Sequence, residues 1–426
     1  MSDTTATADS TGVESVEHFR ARARAHIEAN IPLADAYWSM GELSDEQELE
    51  DVARQRALQR TLFDGGLAGI MVPVEYGGQG LTAEHSRVLN EEMAGRPVPG
   101  RLQVPTMTPC MTVLLDFGTE AQRQEHIPAI LRGDEIWMQM LSEPSGGSDV
   151  AGALTSAVRD GDEWVLNGSK IWTTGAWWAD WALCLARTDW DVPKHSGLTV
   201  FMVPFDTPGL EMHRIELLSG SKEFCQEFLT DVRIPDTHRI GEVNHGWTVG
   251  QRWLYYERSF MSSPHTIRPA RGDRRGGFGG GVYNLLAWSG RVDDLGAREL
   301  VGESHASSTA MGALAGRLVQ AMMTGAMSDQ AAAIGKLMGA NVSRRLQTIS
   351  WQLAGSSGGV WSDDDPMAGT GEQYLSRQLG EIAGGTTEMA RNVVSERVLG
   401  LPREVTVDKN TPFRDVPKGP AAKGRG

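Results

Sequence analysis

At 426 residues the chain is long enough for two to three domains, and its 40% hydrophobic and 22% charged residues are ordinary globular usage, which excludes wholesale disorder. Forty Lys and Arg against 55 Asp and Glu leave a net charge of −15, and an acidic surface repels phosphate backbones, so nucleic acid is excluded as a general partner. A phosphorylated small ligand stays possible, because a local nest of backbone N–H groups can hold one. The three cysteines, Cys110, Cys184 and Cys225, have neither metal-like nor C-x-x-C spacing; they read as small buried side chains, and no metal site is expected.

The first fifteen residues are rich in Ser, Thr and Asp, without the basic start and apolar run of a signal peptide. The most apolar stretch, 171–186, is broken by Asp180 and cannot be a spanning helix of about 20 apolar residues. A cytoplasmic protein with no membrane partner is expected. A helical domain is expected over 16–133, after a disordered stretch at 1–15. Ser44-x-x-Gln47 and Thr119-x-x-Gln122 are capping-box patterns that open helices. Leu49, Val52, Arg56 and Leu62 then follow the first as the stripe of an amphipathic surface helix. The run Tyr76-Gly77-Gly78-Gln79-Gly80 predicts a loop with sharp turns.

Over 134–242 the period shifts toward two. Short strands are predicted at 154–158, 164–166, 170–172, 181–186 and 198–203, separated by Asp160-Gly161-Asp162, Asn167-Gly168 and Thr207-Pro208-Gly209. Asn167-Gly168 between apolar runs is a hairpin signal, and the strand density suggests a small barrel or sandwich. Helical texture returns as a C-terminal bundle over 243–403, and the Lys-, Pro- and Gly-rich 404–426 predicts a flexible tail. Arg275-Gly276-Gly277-Phe278-Gly279-Gly280-Gly281 lacks the Lys-Ser/Thr of a phosphate loop and reads as a break between helices. The fold class is α+β: helical, then β, then helical.

Three motifs stand in a telling order. Leu141-Ser142-Glu143-Pro144-Ser145-Gly146-Gly147-Ser148-Asp149 precedes the first strands, and Asn167-Gly168-Ser169-Lys170-Ile171-Trp172-Thr173-Thr174-Gly175 follows. Ile382-Ala383-Gly384-Gly385-Thr386-Thr387-Glu388-Met389-Ala390-Arg391-Asn392 comes near the end. With Phe117-Gly118-Thr119-Glu120, Val232-x-Ile234-Pro235 and Gly246-Trp247, the sequence over 16–404 resembles the acyl-CoA dehydrogenase family of flavoenzymes.

The resemblance implies FAD and an acyl-CoA substrate. Main-chain groups and hydroxyls of Gln139-Met140-Leu141-Ser142 would meet the flavin's pyrimidine edge. Trp172 would wall the isoalloxazine, with Thr173 and Thr174 beside it, although a strand Trp is also ordinary core. Thr386, Thr387 and Glu388 would open a helix near the phosphate-rich linker, a place where plain N-capping serves equally. Ser148 matches a position touching the thioester ligand, and Arg258 one near the CoA moiety. An electron-transferring flavoprotein as acceptor, and a homodimer or homotetramer or an assembly with an unlike subunit, are further implications.

Many family members carry the catalytic carboxylate immediately before the Gly-Thr of the C-terminal motif. Here that position is Gly384, whose backbone N–H, with Gly385 next to it, is left to meet the thioester carbonyl. Other branches place the glutamate directly before the arginine matched by Arg258, and here that residue is Glu257. Glu257 is therefore the expected base for α-proton abstraction with β-hydride transfer to flavin, against the blander reading of a surface carboxylate on a charged helix. Arg275-x-x-Phe278-Gly279 arrives too early to match the family's inter-subunit flavin arginine, and Gln352-Leu353-Ala354-Gly355-Ser356 half matches its Gln-x-x-Gly-Gly motif. These departures keep two alternatives open: a non-catalytic partner subunit, and an oxidase or monooxygenase on the same fold.

Overall fold

The computed structural model describes residues 13–33, 44–259, 263–267, 280–360, 365–367, 369–403, 405 and 408–417. The N-terminal helices are α1 (Val16–Asn30), α2 (Asp45–Asp64), α3 (Ala83–Glu92), the single turn α4 (Gly100–Leu102), α5 (Met111–Phe117) and α6 (Glu120–Arg132). Between α4 and α5, Gln103–Cys110 is a wide, irregular turn interrupted by extended residues at Val104 and Thr108. Both capping boxes form, Ser44 with Gln47 and Thr119 with Gln122. The stripe of α2 differs from expectation: Leu49 is exposed, and Val52 and Leu62 share the buried face with Gln55 and Gln59. The glutamines are tolerated because they are bonded, Gln59 donating to the Leu131 carbonyl at 2.7 Å and Gln55 accepting from the Arg101 N–H at 2.7 Å. In the Tyr76–Gly80 loop, Gly77 has φ +81°, and a Cβ on Gly78 would stand 2.2 Å from the Val72 oxygen.

The central region is one sheet of β1 (Trp137–Met140), β2 (Ser156–Asp160), β3 (Glu163–Thr174), β4 (Trp181–Arg187), β5 (Leu198–Pro204), β6 (Leu210–Ile215), β7 (Phe224–Pro235) and β8 (Arg239–Ile240). Its order is β6-β7-β3-β2-β4-β5-β8, with β1 also on β4, and the outer strands do not pair with each other. The expected barrel or sandwich is thus an unclosed sheet. One side of β4 is shared: β1 takes Trp181 to Cys184, and β2 reaches only Arg187.

Asn167-Gly168 is not a hairpin. It lies inside β3, at a register shift against β7, and the hairpin turns at 161–162 instead. Gly168 (φ +154°) is there for closeness, since a Cβ would lie 2.6 Å from Thr155 Oγ1. Strands β1, β6, β7 and β8 lie outside the predicted strands.

The C-terminal helices are α7 (Gly246–Ser259), α8 (Gly280–Trp288), α9 (Leu295–Met323), α10 (Ala332–Ala354), α11 (Gly369–Leu375), α12 (Leu379–Ile382) and α13 (Thr387–Val393). Val282, Leu285, Val301, Leu346, Ile349 and Leu353 form the core of α8, α9 and α10. Val249 and Trp253 of α7 instead enter a core shared with Met111, Leu114, Leu198, Val200 and Met202, which clamps α7 between the helical layer and the sheet. Burying one such large apolar side chain contributes about 2–3 kcal/mol.

The tail is not wholly free. Phe413 is buried, its N–H donates to the Val192 carbonyl at 2.9 Å, and its ring packs 3.6 Å from the Arg187 guanidinium. Arg275–Gly279 lies outside the described residues. All three cysteines are buried and free. Among the described residues no helix is long and apolar enough to cross a membrane, and no His, Cys, Asp and Glu group could hold a metal ion.

Candidate active site

The site is organised around α7. Trp253 and Glu257 stand four residues apart, on one helical face. Trp253 is fully buried and its Nε1 donates to Gln139 Oε1 of β1 at 2.5 Å. The Gln139 side chain is thereby committed to holding α7 against the sheet.

One turn later, Glu257 faces the Gly384–Gly385 step. A Cβ built on Gly384 would lie 3.9 Å from Glu257 Oε1 and 3.9 Å from Lys336 Nζ, and one on Gly385 would lie 3.7 Å from Arg258 Nε. Both glycines are left-handed, with φ +66° and +92°, a conformation that glycine adopts without a Cβ penalty. Glu257 is partly exposed, and the surrounding protein desolvates its carboxyl. That desolvation raises its pKa above the ordinary carboxylate range, against the pull of the Arg258 and Lys336 charges. The buried Cys110 thiol is a further neighbour: burial first, and the Glu257 charge second, push it well above the usual thiol range.

The other predicted residues gather at the ends of β1 and β3. The Ile171 N–H donates to the Ser142 carbonyl at 3.0 Å, and Lys170 Nζ to the Leu141 carbonyl at 3.3 Å, which ties the two motifs together. Met140 is in the sheet core. Trp172 occupies the left-handed region (φ +68°) at a second register shift in β3, with 51% of its surface exposed and its ring edge-on to Phe224. Thr173 turns inward and donates to Glu227 Oε2 at 2.8 Å, so only its backbone is left for a ligand, whereas Thr174 is exposed. Ser148 is exposed on the loop after Glu143. Thr386 caps α13 by accepting from the Met389 N–H at 3.1 Å, Thr387 is buried, and Glu388 pairs with Arg391 at 3.2 Å.

Two groups were not anticipated. Glu143 is buried and accepts from Lys170 Nζ at 2.9 Å and from the Leu154 and Thr155 N–H groups at 2.6 and 2.9 Å. Burial works to raise this carboxyl, but the Lys170 ammonium and these hydrogen bonds outweigh it and hold the pKa below the usual carboxylate range. Both residues lie inside the quoted motifs, yet nothing local says that they meet. Lys336 is the second. Its neighbours come from α7 and from the α12–α13 connection, so no spacing in the sequence announces it.

Known protein families and structures are similar to this chain over most of its length. Residues 14–134, 139–232 and 288–399 match the models of the acyl-CoA dehydrogenase N-terminal, middle and C-terminal domains. Acyl-CoA dehydrogenase IpdE1 of Mycolicibacterium smegmatis is 32% identical over 400 residues, covering 92% of this chain and 99% of that protein. Acyl-CoA dehydrogenase FadE34 of Mycobacterium tuberculosis is 33% identical over 353 residues, 81% of this chain and 46% of that longer protein. Among solved structures, the Tcur3481-Tcur3483 steroid ACAD superposes with a TM-score of 0.71 at 27% identity, over 91% of this chain and 98% of that one. The ChsE4-ChsE5 complex of Mycobacterium tuberculosis (TM-score 0.68, 22% identity, 91% of this chain and 98% of that one) shares the fold.

Proposed function

The chain belongs to the acyl-CoA dehydrogenase family of FAD-dependent oxidoreductases, and from that premise we propose that it α,β-dehydrogenates an acyl-CoA thioester to the 2-enoyl-CoA with Glu257 as base. The observation that carries this reading is the Glu257 carboxylate across from a glycine step that has no side chain of its own. An α-hydrogen is weakly acidic, so a carboxylate must take it while the carbonyl is polarised. Glu257 takes the proton. The N–H groups of Gly384 and Gly385 follow the last bond of α12, Ala383 N–H to Leu379 oxygen, and are the donors for the thioester oxygen. Arg258, beside Gly385, holds an oxygen of the CoA moiety. Desolvation strengthens the base, and the Gln139–Trp253 bond fixes the helix that presents it.

The residues present fit FAD. Trp172 keeps half of a large apolar ring uncovered at a strained backbone position, a feature that plain core packing does not explain. The Leu141–Ser142 backbone and the Thr173–Thr174 strand end would hold the flavin beside it, and Thr386 and Thr387 its linker. Bound FAD supplies the acceptor for the hydride that leaves the β-carbon. An electron-transferring flavoprotein is the proposed electron acceptor. A bulky, steroid-derived acyl group and an unlike second subunit are the proposed substrate class and assembly, supported by the name of the 27%-identical steroid ACAD structure and the two chains it joins.

Anaerobic mixing of the purified holoprotein with short, branched, long and steroidal acyl-CoAs tests the reading. Bleaching of the flavin with formation of the enoyl-CoA is expected, fastest with the steroidal thioester. A protein that remains colourless with added FAD, or whose flavin no thioester bleaches, overturns it.

A further inference from the structure

Lys336 of α10 has no part in the reaction as written above, yet it stands at its centre. Its Nζ donates to the Gly380 carbonyl at 2.9 Å and to the Ala383 carbonyl, the open end of the four-residue α12. Those carbonyls have no helical partner and need donors. The next residues are the left-handed pair Gly384–Gly385, so the ammonium pins the point where the chain turns out of the helix. Two of its three protons are used there.

Across Gly384 lies the Glu257 carboxylate. Since the Gly384 Cβ position is 3.9 Å from both charged atoms, the two lie no more than about 8 Å apart. The charged and titratable groups facing Glu257 are Arg258 from its own helix, Lys336 from α10 and the Cys110 thiol from the segment before α5; the glycine step adds none. Lys336 is itself half-buried. Burial lowers its pKa, and the Glu257 charge opposes that shift.

We propose that Lys336 is a positioning residue of this site, fixing the Gly384–Gly385 donors through the α12 carbonyls and supplying, across Gly384, the counter-charge that keeps Glu257 ionised. The inference rests on the reading of Glu257 as base. A glycine at 384 then has a second use: it places no side chain beside the carboxylate and the ammonium.

The test uses the holoenzyme with Lys336→Met and Lys336→Arg, following the pH dependence of kcat/KM and, independently of turnover, the infrared carboxylic-acid band that Glu257→Gln abolishes. Removing the cation should move both the acid limb and the band titration up by about one pH unit. On the acid side of the profile activity should fall up to roughly tenfold and recover at higher pH, while Lys336→Arg keeps the native profile. An acid limb and band titration unmoved in Lys336→Met overturns the proposal, as does a loss uniform with pH that Lys336→Arg shares. Should the Met variant fail to fold, Lys336→Gln gives the same reading. If Glu257→Gln still reduces its flavin at the native rate, the base assignment fails; if it is inactive and the Lys336 profiles are unmoved, only the present inference fails.

Discussion

The buried Lys170–Glu143 pair gives the sharpest test of how the β1 and β3 motifs are held. Lys170 spends all three of its protons inside the protein: on Glu143 at 2.9 Å, on the Leu185 carbonyl at 2.6 Å and on the Leu141 carbonyl at 3.3 Å. Its side chain is 0% exposed and that of Glu143 5%. Lys170→Met keeps the length of the stem and removes the charge, leaving a buried carboxylate with two backbone donors and two carbonyls without theirs. Breaking a buried pair from one side costs about 3–5 kcal/mol, which for a chain of this length corresponds to a thermal midpoint lower by roughly 4 °C.

The pH dependence adds a sign. In the native protein the Glu143 pKa is depressed, so its contribution is present above the unfolded value and is lost as pH falls through the folded one. Without the ammonium, burial dominates and raises that pKa, so the deficit of the variant should shrink as the pH is lowered toward 5. Lys170→Met with Glu143→Gln should cost less than Lys170→Met alone. Differential scanning calorimetry between pH 5 and 8 measures all three. A Lys170→Met midpoint within about 1 °C of native at pH 8, or a deficit independent of pH, would refute the reasoning.

Glu227 is fully buried and its pKa is pushed up to about 7, mainly by burial, with Thr173 opposing. A raised acid pKa contributes stability below the unfolded value that is lost as pH rises through about 7, so Glu227→Gln should flatten the stability profile and exceed native stability at pH 8 by about 3 kcal/mol, read from the same calorimetry. Phe413→Ala removes a buried ring and the cation–π contact with Arg187; a loss of about 2–4 kcal/mol and faster tryptic cutting at Lys409 are expected, and an unchanged digestion rate would contradict the docked tail. Gln139→Leu leaves the Trp253 N–H unbonded at the base of α7; flavin reduction should slow at least several-fold while FAD stays bound, as stopped-flow absorbance would record.

Local chemistry was legible in the sequence where it stays local. The Ser44 and Thr119 caps need only residues three apart, and both form. Asn167-Gly168 misled because the same letters that build a hairpin also suit a strand irregularity, and what decides is Thr155, thirteen residues away from Gly168, pressing on its Cα. Strand β7 escaped because its inward positions include Cys225 and Glu227, and a buried glutamate breaks the apolar alternation. Phe413 was hidden in a tail of Lys, Pro and Gly, its partner Arg187 far off in the sheet.

At the site, Glu257, Arg258, Gly384 and Gly385 were all named from motifs, and the fold does bring them together. Lys336 and the Lys170–Glu143 pair could not be read, because each is defined by what it meets across space. An ammonium looks the same in a sequence whether water or a carbonyl receives it.

The measurement that tests the central claim most directly is single-turnover flavin reduction in Glu257→Gln, which keeps the size of the side chain and removes the charge. Saturated with an acyl-CoA that bleaches the native flavin, the variant should still bind FAD and thioester but reduce its flavin at least 10³-fold more slowly, roughly the loss expected when the proton acceptor is deleted. Bleaching at the native rate would show that another group takes the proton.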